Sequence, residues 1–152
     1  FAPIKSNYLN FMIQKATELG VTKFIPILTD RTVVRKINIE RINKIIIEAS
    51  EQSNRIQIPK LEKLIKLDEF LKIYKYTDIL FGDLNSTDNN FKMSGKDPVC
   101  VLIGPEGDFT EKERISVLNM PKTKSVIINK NILRSETAAI SIISIICNKI
   151  LS

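Results

Sequence analysis

Residues 99–113 read VCVLIGPEGDFTEKE, and this stretch decides the fold. Val99 to Ile103 is the strongest strand signal in the chain: an unbroken apolar run, too short for a helix and stopped by a turn. It passes directly into Gly104-Pro105-Glu106-Gly107. Thr110 and Glu113 then have the spacing of a capping box, in which a hydroxyl and a carboxylate satisfy the free N–H groups that open a helix. Strand, glycine–proline loop and capped helix form the repeating unit of an α/β domain, whose ligands bind beyond the carboxyl ends of its strands. Two glycines let a backbone come close to a ligand, and Pro105 stiffens the loop. The spacing is neither the dinucleotide pattern nor the P-loop pattern, and no Lys-Ser/Thr pair follows, so a phosphate cradle is not expected. From spacing alone, a plain strand-to-helix turn remains the alternative.

Elements of the same kind flank this unit. Upstream, Ser6 is placed to cap a helix from Asn7 to Leu19, with Leu9, Met12, Ile13 and Ala16 on one face and Gly20 as its stop. Phe24, Ile25, Ile27 and Leu28 read as a strand with Pro26 inside it, which implies an edge position or a bulge. Asn38 opens a second helix with Ile42, Ile45, Ile46 and Ala49 aligned, ending near Arg55, and Pro59 closes that unit. Asp68 is expected to cap a short helix through Tyr74. Asp78 to Phe81 reads as a brief strand, and Leu84 to Lys96 as a polar surface loop. Downstream, Val126 to Ile128 reads as another strand. Ser135 or Glu136 opens a final helix to Leu151, apolar on nearly every side and so expected to be buried in the core or against another subunit. Short strands alternating with helices give an α/β domain with a largely parallel sheet.

The chain has 152 residues, 43% of them hydrophobic and 26% charged. That suits one globular domain able to bury a core without staples. No apolar run reaches the length of a bilayer span, and Ser141 and Ser144 interrupt the longest one, so no membrane segment is expected. The first residue is Phe1, with no charged leader after it, so the start reads as a cut inside a longer chain. Cys100 and Cys147 lie among apolar residues and read as core thiols of a reducing compartment, which fits the cytoplasm. A net charge of +6 permits a polyanionic partner. The absence of His removes the usual proton shuttle, every His-dependent triad and the common zinc sites. No carboxylate cluster replaces them, so no metal is expected.

Two further stretches carry chemistry. Residues 129–138, NKNILRSETA, set a charged and hydroxylic group just before the apolar last helix. Ser135 and Glu136 are explained by capping and first-turn placement. Arg134 is not, because a cation near a helix N-terminus is unfavourable, whereas a forked guanidinium suits a phosphate or a carboxylate. In residues 48–55, EASEQSNR, the side chains of Glu48, Glu51, Gln52 and Arg55 share a helical face. That face is either a solvated one with an ion pair or a polar one turned toward a site.

In combination and in order, the runs KATELGV (15–21), EASEQSNR (48–55), IGPEGDF (103–109) and ILRSETA (132–138) resemble the catalytic domain of the small-subunit (16S) rRNA uridine N3-methyltransferases, of the SPOUT class. The resemblance covers essentially the whole chain. It implies a SPOUT-type α/β fold, with a largely parallel sheet, helices on both faces and a deep C-terminal trefoil knot. S-adenosylmethionine would lie in the knot, held by Phe81 and Gly82, by Ile103, Gly104, Pro105, Glu106 and Gly107, and by Ile127, Ile128, Ile132 and Leu133. Arg134 and Glu136 would be the catalytic residues, and Arg55 and Arg134 would contact the RNA. The family works as a homodimer and carries a small N-terminal RNA-binding domain, which this chain does not include. Two positions depart from the pattern: Asp108 stands where the family usually has Gly, and Asp83 where it often has Glu.

The implied reaction places a nucleophilic uracil nitrogen in line with an activated methyl group, and orientation supplies much of the rate. Uracil N3 must lose a proton, and the target base must leave its stack to reach the site. Without His, the expected route is Arg134 stabilising the uracil anion, with Glu136 as its partner or as a weak base. Two alternatives stand beside this: a non-catalytic RNA-binding module, and an enzyme of the same class with another target such as tRNA ribose.

Overall fold

The computed structural model describes residues 1–90 and 98–151. In chain order the elements are α1 (Ser6–Glu18), β1 (Lys23–Phe24), β2 (Ile27–Leu28), α2 (Ile39–Gln52), β3 (Lys60–Leu61), β4 (Ile65–Lys66), α3 (Leu67–Ile73), β5 (Asp78–Gly82), β6 (Val99–Leu102), α4 (Glu111–Leu118), β7 (Thr123–Val126) and α5 (Ser135–Leu151). Every described strand pair is parallel. The central sheet has the order β6-β5-β7, while β1 pairs with β3 and β2 with β4.

The middle strand shows why helices lie on both faces. Successive side chains of a strand point to opposite sides of the sheet. Leu80 joins a core made with Leu9, Met12 and Ile13 of α1, Ile42 and Ile46 of α2, and Ile142, Ile143 and Ile146 of α5. Its neighbours Ile79 and Phe81 join a second core with Leu67 and Phe70 of α3 and Val117 of α4. The domain is therefore a layer of α1, α2 and α5, a parallel sheet, and a layer of α3 and α4. The inner stripe of α5, Ala139, Ile142, Ile143 and Ile146, is buried, while Thr137, Ser144 and Asn148 are exposed.

Local signals account for most helix ends. The α1 terminus is a Schellman turn: Gly20 has φ +99°, Val21 N–H donates to the Ala16 carbonyl and Gly20 N–H to that of Thr17. The Asn38 side chain accepts from Arg41 N–H at 2.9 Å to cap α2, and the reciprocal box of Thr110 and Glu113 caps α4. Two expected caps are corrected. Ser6 is already helical, because the buried residues Ala2 and Ile4 hold the preceding chain extended and leave Lys5 as the cap. Asp68 lies in the first turn of α3, with Lys66 at the cap position and no side-chain cap.

The strands depart further from expectation. The run around Pro26 is two strands rather than one, because Pro26 offers no N–H and the chain changes partner there, from β3 to β4. The short strands β3 and β4 carry no apolar run and were not expected. The last strand is Thr123–Val126, not Val126 to Ile128. It occupies a sheet edge, where Thr123, Lys124 and Ser125 are tolerated, and Ile127 already turns away to donate to the Asp88 carbonyl. Helix α2 stops at Gln52, short of Arg55. Of the polar loop expected from Leu84 to Lys96, residues 91–96 lie outside the described residues.

Candidate functional site

A cleft of about 590 Å³ opens beyond the carboxyl ends of β5, β6 and β7, within the usual size of a small-molecule site. The chain reaches it from four directions. Gly82, Asp83 and Leu84 follow β5; Ile103, Gly104, Pro105, Glu106 and Asp108 follow β6. Val126 to Asn129 and Asn131 to Glu136 follow β7 and lead into α5. Lys5 and Tyr8 of the first helix, with Val33 and Val34 from the loop after β2, complete it.

The cleft thus joins Gly82, Ile103, Gly104, Pro105, Glu106, Ile127, Ile128, Ile132, Leu133, Arg134 and Glu136, residues far apart in sequence. Three expected site residues lie elsewhere. Phe81 is buried under the sheet, edge-on to the Phe109 ring at 5.2 Å, and so positions Gly82 from behind. Gly107 packs on Arg31, whose guanidinium donates to the Gly107 carbonyl at 3.0 Å. Arg55 is outside the cleft: it donates to the carbonyls of Thr17 at 2.8 Å and Val21 at 2.7 Å. Its place on a polar helical face gives way to clamping the end of α1.

The glycines are also closely packed on the protein side. A Cβ on Gly104 would stand 2.7 Å from the Phe109 ring, and one on Gly82 2.7 Å from Ile103 Cδ1. One on Gly107 would press on Arg31 at 3.3 Å. Gly104 is the firmest of the three, because the Phe109 ring cannot fold away, whereas the Ile103 terminal methyl and Arg31 can shift. The left-handed position in this loop is Asp108, with φ 58°. Its carboxylate accepts from Phe109 N–H at 2.8 Å, a local bond of the kind that lets Asp adopt a conformation suited to Gly.

Four carboxylates line the cleft, and their surroundings separate them. Asp83 is 4% exposed. Its oxygens receive Nε and Nη2 of Arg114 at 2.9 to 3.1 Å, Ser125 Oγ at 3.2 Å and Asn85 N–H at 3.0 Å. Burial alone would raise its pKa, but these donors outweigh it and hold the carboxyl below its usual range. Asp83 therefore ties β5 to α4 and β7 beneath the cleft. Glu106 is exposed and Asp108 is bonded to its own loop. Glu136 is different: it is 7% exposed and, among the described residues, makes no hydrogen bond or ion pair. Arg134 is not its partner. The Arg134 guanidinium instead lies over the Tyr8 ring, 5.2 Å from the centroid.

Sequence reading missed Lys5, Tyr8, Val33 and Val34. Tyr8 and Lys5 lie one helical turn apart by i, i+3, a polar pairing that gave no warning of a site. Both cysteines are free thiols, half-buried and packed against the two cores rather than fully within them. Burial pushes both thiols up, and Cys147 donates to the Leu19 carbonyl. Among the described residues no group of His, Cys, Asp and Glu is arranged to hold a metal, and no helix is long and apolar enough to cross a membrane.

Comparison with known proteins gives a consistent set of matches. The sequence model of the RNA methyltransferase domain family matches residues 1–147. The chain is similar to the ribosomal RNA small subunit methyltransferase E of Rickettsia conorii, with 38% identity over 94% of this chain and 60% of that protein. It is also similar to the Neisseria gonorrhoeae structure of that name bound to S-adenosyl methionine: TM-score 0.88, 28% identity, 97% of this chain and 63% of the other. A Legionella pneumophila structure in complex with the cofactor SAM aligns with TM-score 0.85 and 30% identity, covering 97% and 64% of the two chains. The chain spans about 60% of the length of the curated relatives it matches.

Proposed function

Because the chain belongs to the RNA methyltransferase domain family, we propose that it transfers a methyl group from S-adenosylmethionine to uridine N3 in small-subunit ribosomal RNA. The observation that carries this reading is the cleft itself. It draws the Gly104 loop, the segment from Ile127 to Leu133 and the pair Arg134 and Glu136 to one place, although none of them is adjacent in the sheet.

The residues present fit the cofactor. Ile103, Ile127, Ile128 and Leu133 offer an apolar wall for a flat adenine. The Glu136 side chain lines the cleft without a hydrogen bond or ion pair among the described residues, so its carboxylate suits a cationic ligand. When bound, S-adenosylmethionine supplies an electrophilic methyl group on a sulfonium. The chain then orients the nucleophile, excludes water and stabilises charge. Arg134, at the rim, holds the uracil as its N3 proton leaves and negative charge spreads onto the flanking carbonyl oxygens. Asp83 is held by Arg114 and Asp108 by its loop, and of the two remaining carboxylates Glu136, two residues from Arg134, is the one assigned to receive that proton.

Two further parts of the reading are the deep trefoil knot formed by the chain after β6, and a homodimer that completes the site. The β6-β5-β7 order, with residues 127–134 passing beside the Gly104 loop, supports the first. The incomplete burial of the apolar residues Ile140 and Ile145 of α5 supports the second. Light scattering at micromolar concentration should give the mass of a dimer, and a clean monomer would refute it.

The deciding experiment has two arms. Calorimetric titration should find one S-adenosylmethionine site per chain. The complete protein, given small-subunit RNA, should leave a methyl group that mass spectrometry maps to uracil N3. Absence of cofactor binding would make the chain a non-catalytic RNA-binding module. A methyl on ribose or on another RNA would keep the chemistry and overturn the target.

A further inference from the structure

Tyr8 carries no assigned role, yet its ring lies against the exposed Arg134 guanidinium of the site. Arg134 sits at the cap of α5, where its carbonyl accepts from Ala138 N–H at 2.8 Å, so its backbone is fixed. Its side chain is exposed and, among the described residues, forms no ion pair and no side-chain hydrogen bond. A free arginine samples many rotamers and loses that entropy on binding. Here the guanidinium carbon lies 5.2 Å from the centroid of the Tyr8 ring, within cation–π range.

The ring is well placed to act as a support. Tyr8 is half-buried on α1 and packed against the core that contains Leu9, Met12 and α5. It lines the same cleft as Arg134 and Glu136. The platform is therefore anchored on one helix and the guanidinium on another, across the mouth of the cleft. The stack also offsets part of the cost of placing a cation at a helix N-terminus.

We propose that Tyr8 is a positioning residue that holds the Arg134 guanidinium plane toward the uracil, acting through the face of its ring and not through its hydroxyl. This rests on the reading of Arg134 given above. A ring that fixes the plane should matter for turnover, because a misplaced catalytic group loses rate out of proportion to any lost contact.

The test compares Tyr8→Phe, Tyr8→Leu, Arg134→Ala and the double variant Tyr8→Leu/Arg134→Ala in the complete protein, with small-subunit RNA as substrate. Tyr8→Phe should keep turnover near the parent. Tyr8→Leu should lower kcat roughly tenfold to a hundredfold, with the S-adenosylmethionine Kd within about twofold of the parent. In the Arg134→Ala background, Tyr8→Leu should have no further effect. Independently, the Arg134 side-chain protons should show an upfield ring-current shift by NMR in the unmodified protein. Additive losses, a Phe variant as poor as Leu, or unshifted Arg134 protons would overturn this proposal alone. Full turnover in Arg134→Ala would overturn the catalytic role of Arg134 and this proposal with it.

Discussion

Arg134→Ala is expected to lower turnover about a hundredfold to a thousandfold, the loss found when one donor to a developing anion is removed. Fold and cofactor binding should survive. The side chain is exposed at the cleft rim and, among the described residues, stacks only on Tyr8, so its removal opens no cavity and strands no buried charge. Removing a cation from the start of α5 should even relieve the helix slightly. Single-turnover rates on small-subunit RNA, thermal melts and cofactor titration measure the three quantities separately. Arg134→Lys should rescue poorly, because an ammonium offers no planar fork and stacks less well on a ring. A variant that loses only RNA affinity, with full turnover at saturating RNA, would make Arg134 a phosphate anchor. A variant that unfolds would make it structural.

How much of this was legible in the sequence differs by kind of signal. The strand-loop-helix unit around Gly104 could be read because its cues are local: an apolar run, a Gly/Pro turn and a capping box each act within a few residues. The grouping of Gly104, Ile127 and Glu136 was legible only through family resemblance, since parallel strands join segments far apart in the chain. The edge strand Thr123–Val126 was misplaced for a physical reason. Its ladder is set by pairing with β5, Ile79 opposite Thr123 and Gly82 opposite Val126, while its own residues are polar. Arg55 and the loop glycines Gly104 and Gly107 were legible as unusual, but their packing partners were not. An arginine on a polar face and a glycine in a loop look alike whether they meet a ligand or another part of the chain. Only the neighbours, Thr17 and Val21 for Arg55 and the Phe109 ring for Gly104, decide. Asp108 was the converse case. The expected glycine position does have a left-handed backbone, and the chain meets it with Asp and a local hydrogen bond.

Arg114→Leu should be the most destabilising change near the site. It leaves the Asp83 carboxylate, whose side chain is 1% exposed, without its forked partner. Breaking a buried pair by removing one member costs about 3–5 kcal/mol. The 23% exposure of Arg114 lets some water reach the gap, which places the expectation near the lower end. Even that is a large share of the roughly 5–15 kcal/mol that holds a domain together. Because Asp83 closes β5 to α4 and β7 beneath the cleft, cofactor binding should weaken along with the fold. The pH dependence identifies the cause. Donors hold Asp83 below its usual range, so its contribution is present above the unfolded value of about 4 and is lost as pH falls through the folded value. In Arg114→Leu the burial penalty is opposed only by the Asn85 and Ser125 donors, and the carboxyl should protonate more readily. The stability gap between parent and variant should therefore be wide at pH 7 and narrow below about pH 4. The raised value of Arg114 itself keeps its charge throughout this window and adds no slope. Urea unfolding at neutral and acid pH reads the gap directly. A loss under about 1 kcal/mol at pH 7, as for an exposed pair, would mean that Asp83 is solvated once Arg114 is gone. A gap that stays constant on acidification would assign the loss to packing of the arginine stem and not to the stranded charge.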